Sequence, residues 1–147
     1  MQPTFLLFLD FDGVIKHPGT TNFEEEPVRL VRALANRLDA SIVISSSWRA
    51  VADLKRWNLA FDDRIIGVTP TLDGPESQED FARHKEVLAF LEERGWQKVP
   101  WLALDDDPRN YPKGAPVHCT NPEKLLTREE VVELVEKHGG EHSLHRG

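Results

Sequence analysis

Two carboxylates one residue apart, Asp10 and Asp12, follow the apolar run Phe5 to Leu9 and precede Gly13. A second acidic cluster, Asp105-Asp106-Asp107, follows Val99 to Leu104. Between them, Ile42-Val43-Ile44 leads into Ser45-Ser46-Ser47-Trp48-Arg49. These residue types suit phosphate chemistry. Clustered carboxylates cannot all ionise unpaired, and their hard oxygens favour Mg²⁺. A serine hydroxyl and backbone N–H groups at a helix start can hold phosphate oxygens. One aspartate can attack phosphorus, and a second carboxylic acid can protonate the leaving oxygen and then activate water.

For that chemistry the three segments must meet. Residues two apart on a strand share a face, so Asp10 and Asp12 would converge on one spot, with Gly13 turning the chain away. Each segment follows a short apolar run of the kind buried on both faces of a parallel sheet. Helical patterns fill the intervals. Glu24 begins a helix whose stripe is Val28, Val31, Leu34, Ala35 and Leu38. A second helix spans Ala50 to about Leu59, a third Phe81 to Arg94 with Val87, Leu88 and Leu91 inward, and Gly95 stops it. Further strands are expected at Asp63 to Thr69 and at Ala115 to Cys119, with Cys119 in the core. Thr127 and Glu130 form a capping box for a last helix through about His138, ended by Gly139-Gly140. The expected architecture is α/β: three Rossmann-like layers around a mostly parallel five-stranded sheet. One domain would occupy 1–140 and a flexible tail 141–147. A parallel sheet brings its strand ends to one edge, where such folds bind ligands.

Composition narrows the function classes. The 147 residues suit one domain, and 39% hydrophobic against 29% charged content is globular. No apolar run is long enough for a membrane helix, and the N-terminal run is too short for a signal peptide. The single cysteine excludes an intrachain disulfide and fits the reducing cytoplasm. A net charge of −7 gives no general attraction for nucleic acid. A polynucleotide would need Lys16, Arg49, Arg83, Lys85 and Arg109 to gather at the sheet edge.

Asp10-Phe11-Asp12-Gly13-Val14 resembles the first motif of the haloacid-dehalogenase (HAD)-like hydrolases, Ser45 their second and Leu104-Asp105-Asp106 their fourth. More narrowly, Ser46-Ser47-Trp48-Arg49, the Arg83-to-Val87 helix start and Thr120-Asn121-Pro122 resemble the HAD domain of Swiss-army-knife-type RNA repair proteins. The resemblance implies a Mg²⁺-dependent phosphatase working through an aspartyl-phosphate. Asp10 would be nucleophile and metal ligand. Asp12 would be general acid and base, lending its backbone carbonyl to the metal. Ser45 would bind the phosphoryl group, and Asp105 with Asp106 would complete the metal site. The third-motif cation is Lys85 or Arg83: Lys85 has the compact charge and is preferred, while Arg83 matches the narrower family.

One loop and one helix separate Asp12 from Ser45, and the loop Pro70 to Asp80 is short, so no cap domain is expected. Uncapped relatives tend to act on large substrates. Ser46, Trp48 and Arg49 would then bind substrate, Trp48 by stacking and Arg49 by clamping phosphate, with a nucleic-acid 3′-phosphate or a nucleotide as substrate. The competing roles are a sheet-edge cover for Trp48 and a surface ion pair for Arg49. His17 and His84 lie near the proposed site in sequence, and structural roles are expected for both; Asp107-Pro108 reads as a turn. The competing function is a catalytically inactive phosphate-binding or scaffold module. The mutually repelling aspartates speak against it.

Overall fold

The computed structural model describes residues 2–20, 22–45, 54–72 and 80–146, with backbone only for 54–56 and 140–146. Strands β1 (Leu6–Leu9), β2 (Ser41–Ile44), β3 (Ile65–Val68), β4 (Trp101–Asp105) and β5 (Val117–Cys119) alternate with helices α1 (Glu25–Leu38), α2 (Leu54–Ala60), α3 (Ala82–Arg94) and α4 (Arg128–Arg146). The strands form one sheet in the order β3-β2-β1-β4-β5, every pair parallel. The architecture is the expected three-layer α/β arrangement. Among the described residues no segment forms a cap over the sheet edge.

β1 is the centre. Leu6, Leu7, Phe8 and Leu9 are all fully buried because both faces of the strand are covered. Leu7 and Leu9 join the core beneath α1, α2 and α4, with Val31, Leu34, Ala35 and Leu38 of α1. Leu6 and Phe8 face α3, against Val87, Phe90 and Leu91. The strand order reverses between β1 and β4, which opens a crevice at their carboxyl ends.

Sequence signals govern most boundaries. Asp39 ends α1 in the left-handed conformation (φ 51°), its N–H donating to the carbonyls of Ala35 and Asn36. Gly95 ends α3 in the same way at φ 70°. Thr127 opens α4, accepting from the Glu130 N–H while its hydroxyl donates to the Glu130 carboxylate at 2.9 Å. β4 and β5 begin later than their apolar patterns, after Pro100 and Pro116, which have no N–H to donate to the ladder. β3 begins after Asp62 and Asp63, both at positive φ.

Three expectations are corrected. Leu88 is 46% exposed, and Phe90 takes the inward place. Positions 87, 90 and 91 share a helix face, whereas 88 lies about 100° away. Cys119 is exposed because β5 is the sheet edge and packs lightly on both sides. The last helix does not stop at Gly139-Gly140 but continues to Arg146, so 141–146 are helical. Glycine stops a helix by adopting positive φ, and Gly139 does not. It lies where an added Cβ would touch Leu38 at 3.5 Å and Val135 at 3.6 Å.

That packing yields a prediction. Gly139→Ala should stabilise the protein by about 0.5–1 kcal/mol, since Ala lowers helix entropy loss and the contacts are ordinary van der Waals distances. Urea unfolding midpoints measure it. A destabilised variant would mean that the helix ends at Gly139.

Candidate active site

The pairing register assembles the site. Leu9 pairs with Ile44 on one side and with Leu104 on the other. Asp10 and Ser45 therefore stand one residue beyond β1 and β2, level with Asp105, the last residue of β4. The ladder continues one step, with Asp10 N–H donating to Leu104 O at 3.0 Å and Ser45 N–H to Leu9 O at 2.8 Å. Asp10, Ser45 and Asp105 are all buried.

Past Asp10 the chain leaves the strand. The N–H groups of Val14, Ile15 and Lys16 converge on the Phe11 carbonyl, making a tight turn. Phe11 is sunk in the core, its ring 4.9 Å from that of Phe23 and 4.7 Å from that of Trp57. Gly13 is required twice over. Its φ is +78°, and an added Cβ would stand 2.3 Å from the Asp106 carboxylate. Thr120 pins the same turn, its buried hydroxyl donating to Gly13 O at 2.7 Å.

Asp10, Asp105 and Asp106 each offer an oxygen within 4.8 Å of the others. Burial raises the Asp10 carboxyl to about 8, helped by the charges of Asp105, Asp106 and Asp12 and opposed by Arg83. Burial likewise raises Asp105 to about 6, against the Asp107 N–H, the Asn110 side chain and the Arg83 charge. Asp106 is raised by burial first. Two buried carboxylates and a half-buried one, all shifted toward their neutral forms chiefly by burial, are a donor set suited to a hard divalent cation. Asp10, Asp105 and Asp106 are the side chains that would hold Mg²⁺.

Asp12 does not join this cluster through its side chain. Strand alternation fails once the chain turns, and its carboxylate forms an ion pair with Lys16. Lys16 is itself buried and so is not a surface cation for a polyanion. Arg109 is tied to Asp107 at 3.0 Å. Of the two third-motif candidates, Arg83 is the cation whose charge reaches both Asp10 and Asp105. It sits at the start of α3, bonded to the buried Glu86 at 3.1 Å. Lys85 lies two residues on, about 200° around the helix. Ser46, Trp48 and Arg49 lie outside the described residues. His84 stacks on Trp101 at 6.0 Å, a packing role, and burial shifts its imidazole downward; His17 lies on the exposed loop, 3.8 Å from Glu24. Asp107 is a turn residue as expected, capping the short 3₁₀ helix Pro108–Asn110.

Two residues have no sequence motif behind them. Asn110 donates to both Asp105 oxygens, at 3.1 and 3.2 Å, and so fixes that carboxylate's orientation. Tyr111 is buried against Trp101 and His84, and burial with the Asp105 charge pushes its phenol upward, opposed by contact with Ser45 and by Arg83. The signal available was Asp107-Pro108: a capped 3₁₀ turn returns the chain toward Asp105 three residues later.

A family model described as the HAD domain in Swiss Army Knife RNA repair proteins matches residues 6–131, from β1 into the first turn of α4. The chain belongs to this family. No curated protein matches it. As a HAD domain it has the family's Rossmann-like sheet and an acidic cluster at the strand ends. HAD domains generally use Mg²⁺ and act as hydrolases on phosphorylated substrates. Among the described residues no helix is long and apolar enough to cross a membrane.

The raised carboxyls set a pH dependence. The folded metal-free protein keeps an Asp10 proton that the unfolded chain releases from about 3.8 upward. Stability from this group is therefore complete below the unfolded value and lost as pH climbs through about 8. Asp10→Asn removes the effect. In EDTA its melting temperature should rise relative to wild type between pH 5 and pH 8, and Mg²⁺ should reverse the trend by favouring the ionised wild-type site. Parallel melting curves at all pH values would show that Asp10 is not a buried, charge-crowded carboxyl.

Proposed function

We propose that this chain is a Mg²⁺-dependent phosphatase that hydrolyses phosphomonoesters through an aspartyl-phosphate on Asp10. The observation behind the reading is the alignment of Asp10, Ser45 and Asp105 at the carboxyl ends of three adjacent strands, with Arg83 acting on the aspartates. Bound Mg²⁺ would neutralise the carboxylates and the phosphoryl charge, allowing Asp10 to be ionised near neutral pH.

The residues divide the work. An Asp10 oxygen bonds to phosphorus as the bond to the leaving oxygen breaks. The leaving oxygen keeps the electron pair and takes a proton from Asp12. Water then attacks the phosphoryl group and passes its proton to Asp12. The bond from phosphorus to Asp10 breaks, restoring the carboxylate and freeing inorganic phosphate. Ser45 Oγ is buried without a hydrogen bond of ordinary geometry, as suits a donor meant for a phosphoryl oxygen. Arg83 takes the third-motif role; Lys85 is the alternative. Asn110 orients Asp105.

The substrate reading rests on a sheet edge that no described segment caps and on the RNA repair named in the family's description. We assign a terminal 3′-phosphate of a nucleic acid, or a nucleotide, with Ser46, Trp48 and Arg49 as substrate-binding residues. Lys16 is buried and Arg109 paired, so the local positive charge rests on fewer residues than the sequence offers.

Asp10→Asn keeps the shape and removes the nucleophile, so turnover of an aryl phosphate with Mg²⁺ should fall by at least about 10³-fold. Full activity in that variant would overturn the mechanism. No turnover by wild type across a broad ester panel, with retained binding of a phosphate mimic, would assign the chain to the non-catalytic class.

For substrate, kcat/KM for a 3′-phosphate oligonucleotide should exceed that for a sugar phosphate and fall as salt rises, because several phosphates are contacted together. Equal values without salt dependence would leave a phosphatase without a nucleic-acid substrate.

A further inference from the structure

Lys16 is an unusual residue for a turn at a sheet edge. Its side chain is 1% exposed, although lysine is seldom fully buried unless paired. It holds the turn together from inside. Its ammonium donates to the carbonyl of Thr20 at 2.6 Å and lies 3.4 Å from that of His17. Its own backbone forms a bridge with Asp12, and its carbonyl accepts from the Gly13 N–H at 2.8 Å. The ammonium also forms the ion pair with Asp12 Oδ1.

The two Asp12 oxygens are thereby made different. Oδ1 is buried and faces the ammonium, whereas the side chain as a whole is 32% exposed. The exposure therefore lies on the other side-chain atoms, and Oδ2 is the one carboxyl oxygen left to meet an incoming molecule. A general acid must present one oxygen in a fixed direction toward the leaving group. A free aspartate side chain would sample several rotamers, and a misplacement of about 1 Å can cost about 10²-fold in rate.

We propose that Lys16 is the positioning residue for Asp12, its ammonium holding Oδ1 both when Asp12 is ionised and when Oδ2 carries the proton, so that Oδ2 gives that proton to the leaving oxygen and then takes one back from water. Lys16 touches neither substrate nor metal; it acts through Asp12. The inference rests on the phosphatase reading above and deepens it by assigning the source of acid–base geometry.

Leaving-group dependence separates this role from simple support of the turn. Phenyl phosphate expels a basic phenolate that needs a proton, whereas 2,4-dinitrophenyl phosphate expels a weakly basic anion that does not. The full chain with Mg²⁺ should show, on Lys16→Met, a kcat/KM loss on the order of 10²-fold for phenyl phosphate and a far smaller loss for the dinitrophenyl ester. The ratio of the two values cancels any change in the folded fraction. Asp12→Asn should shift the ratio the same way, and adding Lys16→Met to it should shift the ratio no further. If Lys16→Met yields no folded protein, Lys16→Gln carries the same comparison, with a shift in the same direction. Equal losses on both esters would make Lys16 a structural residue and overturn the inference while leaving the phosphatase standing. Failure of wild type to hydrolyse either ester would remove the phosphatase reading itself.

Discussion

Repulsion between carboxylates at aligned strand ends is the constraint on which the rest of this structure depends. Asp10 and Asp105 are buried side by side because β1 and β4 pair in a register that leaves them no other place. Left in water, each would ionise freely and avoid the other. The sheet holds them together at the expense of their charge, which is why both carboxyls are raised and why burial is the larger cause. Arg83 offsets part of the imbalance, and the remainder is a demand for a cation. A fully apolar central strand is what makes this tolerable. The core clusters on its two faces resist the strain that the polar end imposes.

The elements around that strand were legible in the sequence because each has a local cause. Unbroken apolar runs gave the strands, and three of them terminate in the groups that form the site. Periodic apolar residues gave α1, and Gly95 marked the end of α3. The signals that misled were incomplete ones. Gly139-Gly140 carries the composition of a stop without the left-handed geometry, and tight packing against Leu38 accounts for a glycine there. Cys119 has an apolar side chain on a strand, but composition cannot tell an edge strand from a central one.

Legibility of the site followed the same division. Asp10, Ser45 and Asp105 could be read because each abuts an apolar strand. Asp12 is next to the cluster in sequence, yet its side-chain direction comes from a turn rather than from the alternation of a strand. Lys16 looked like a charge available to a polyanion; only the fold shows it inside the protein. Asn110 and Tyr111 reach the site through a 3₁₀ turn whose three-dimensional return has no periodic signature. The phases of Arg83 and Lys85 on α3 depend on where that helix begins to within one residue. Phe81, in the left-handed conformation, sets that start.

Strand order carries a consequence for how the molecule forms. β1 precedes the other strands in sequence but lies at the centre of the sheet, between β2 and β4. Its second partner arrives only with residues 101–105. Until then an apolar segment buried on both faces in the native sheet has one unpaired edge, and the loop that must close to complete it is long. Parallel pairing over such separations is slow and leaves sticky intermediates exposed. The acidic corner, needing both Asp10 and Asp105, is therefore expected among the last features to form as the chain folds. A divalent cation that favours that corner would act late in the process, selecting completed molecules rather than guiding the early ones.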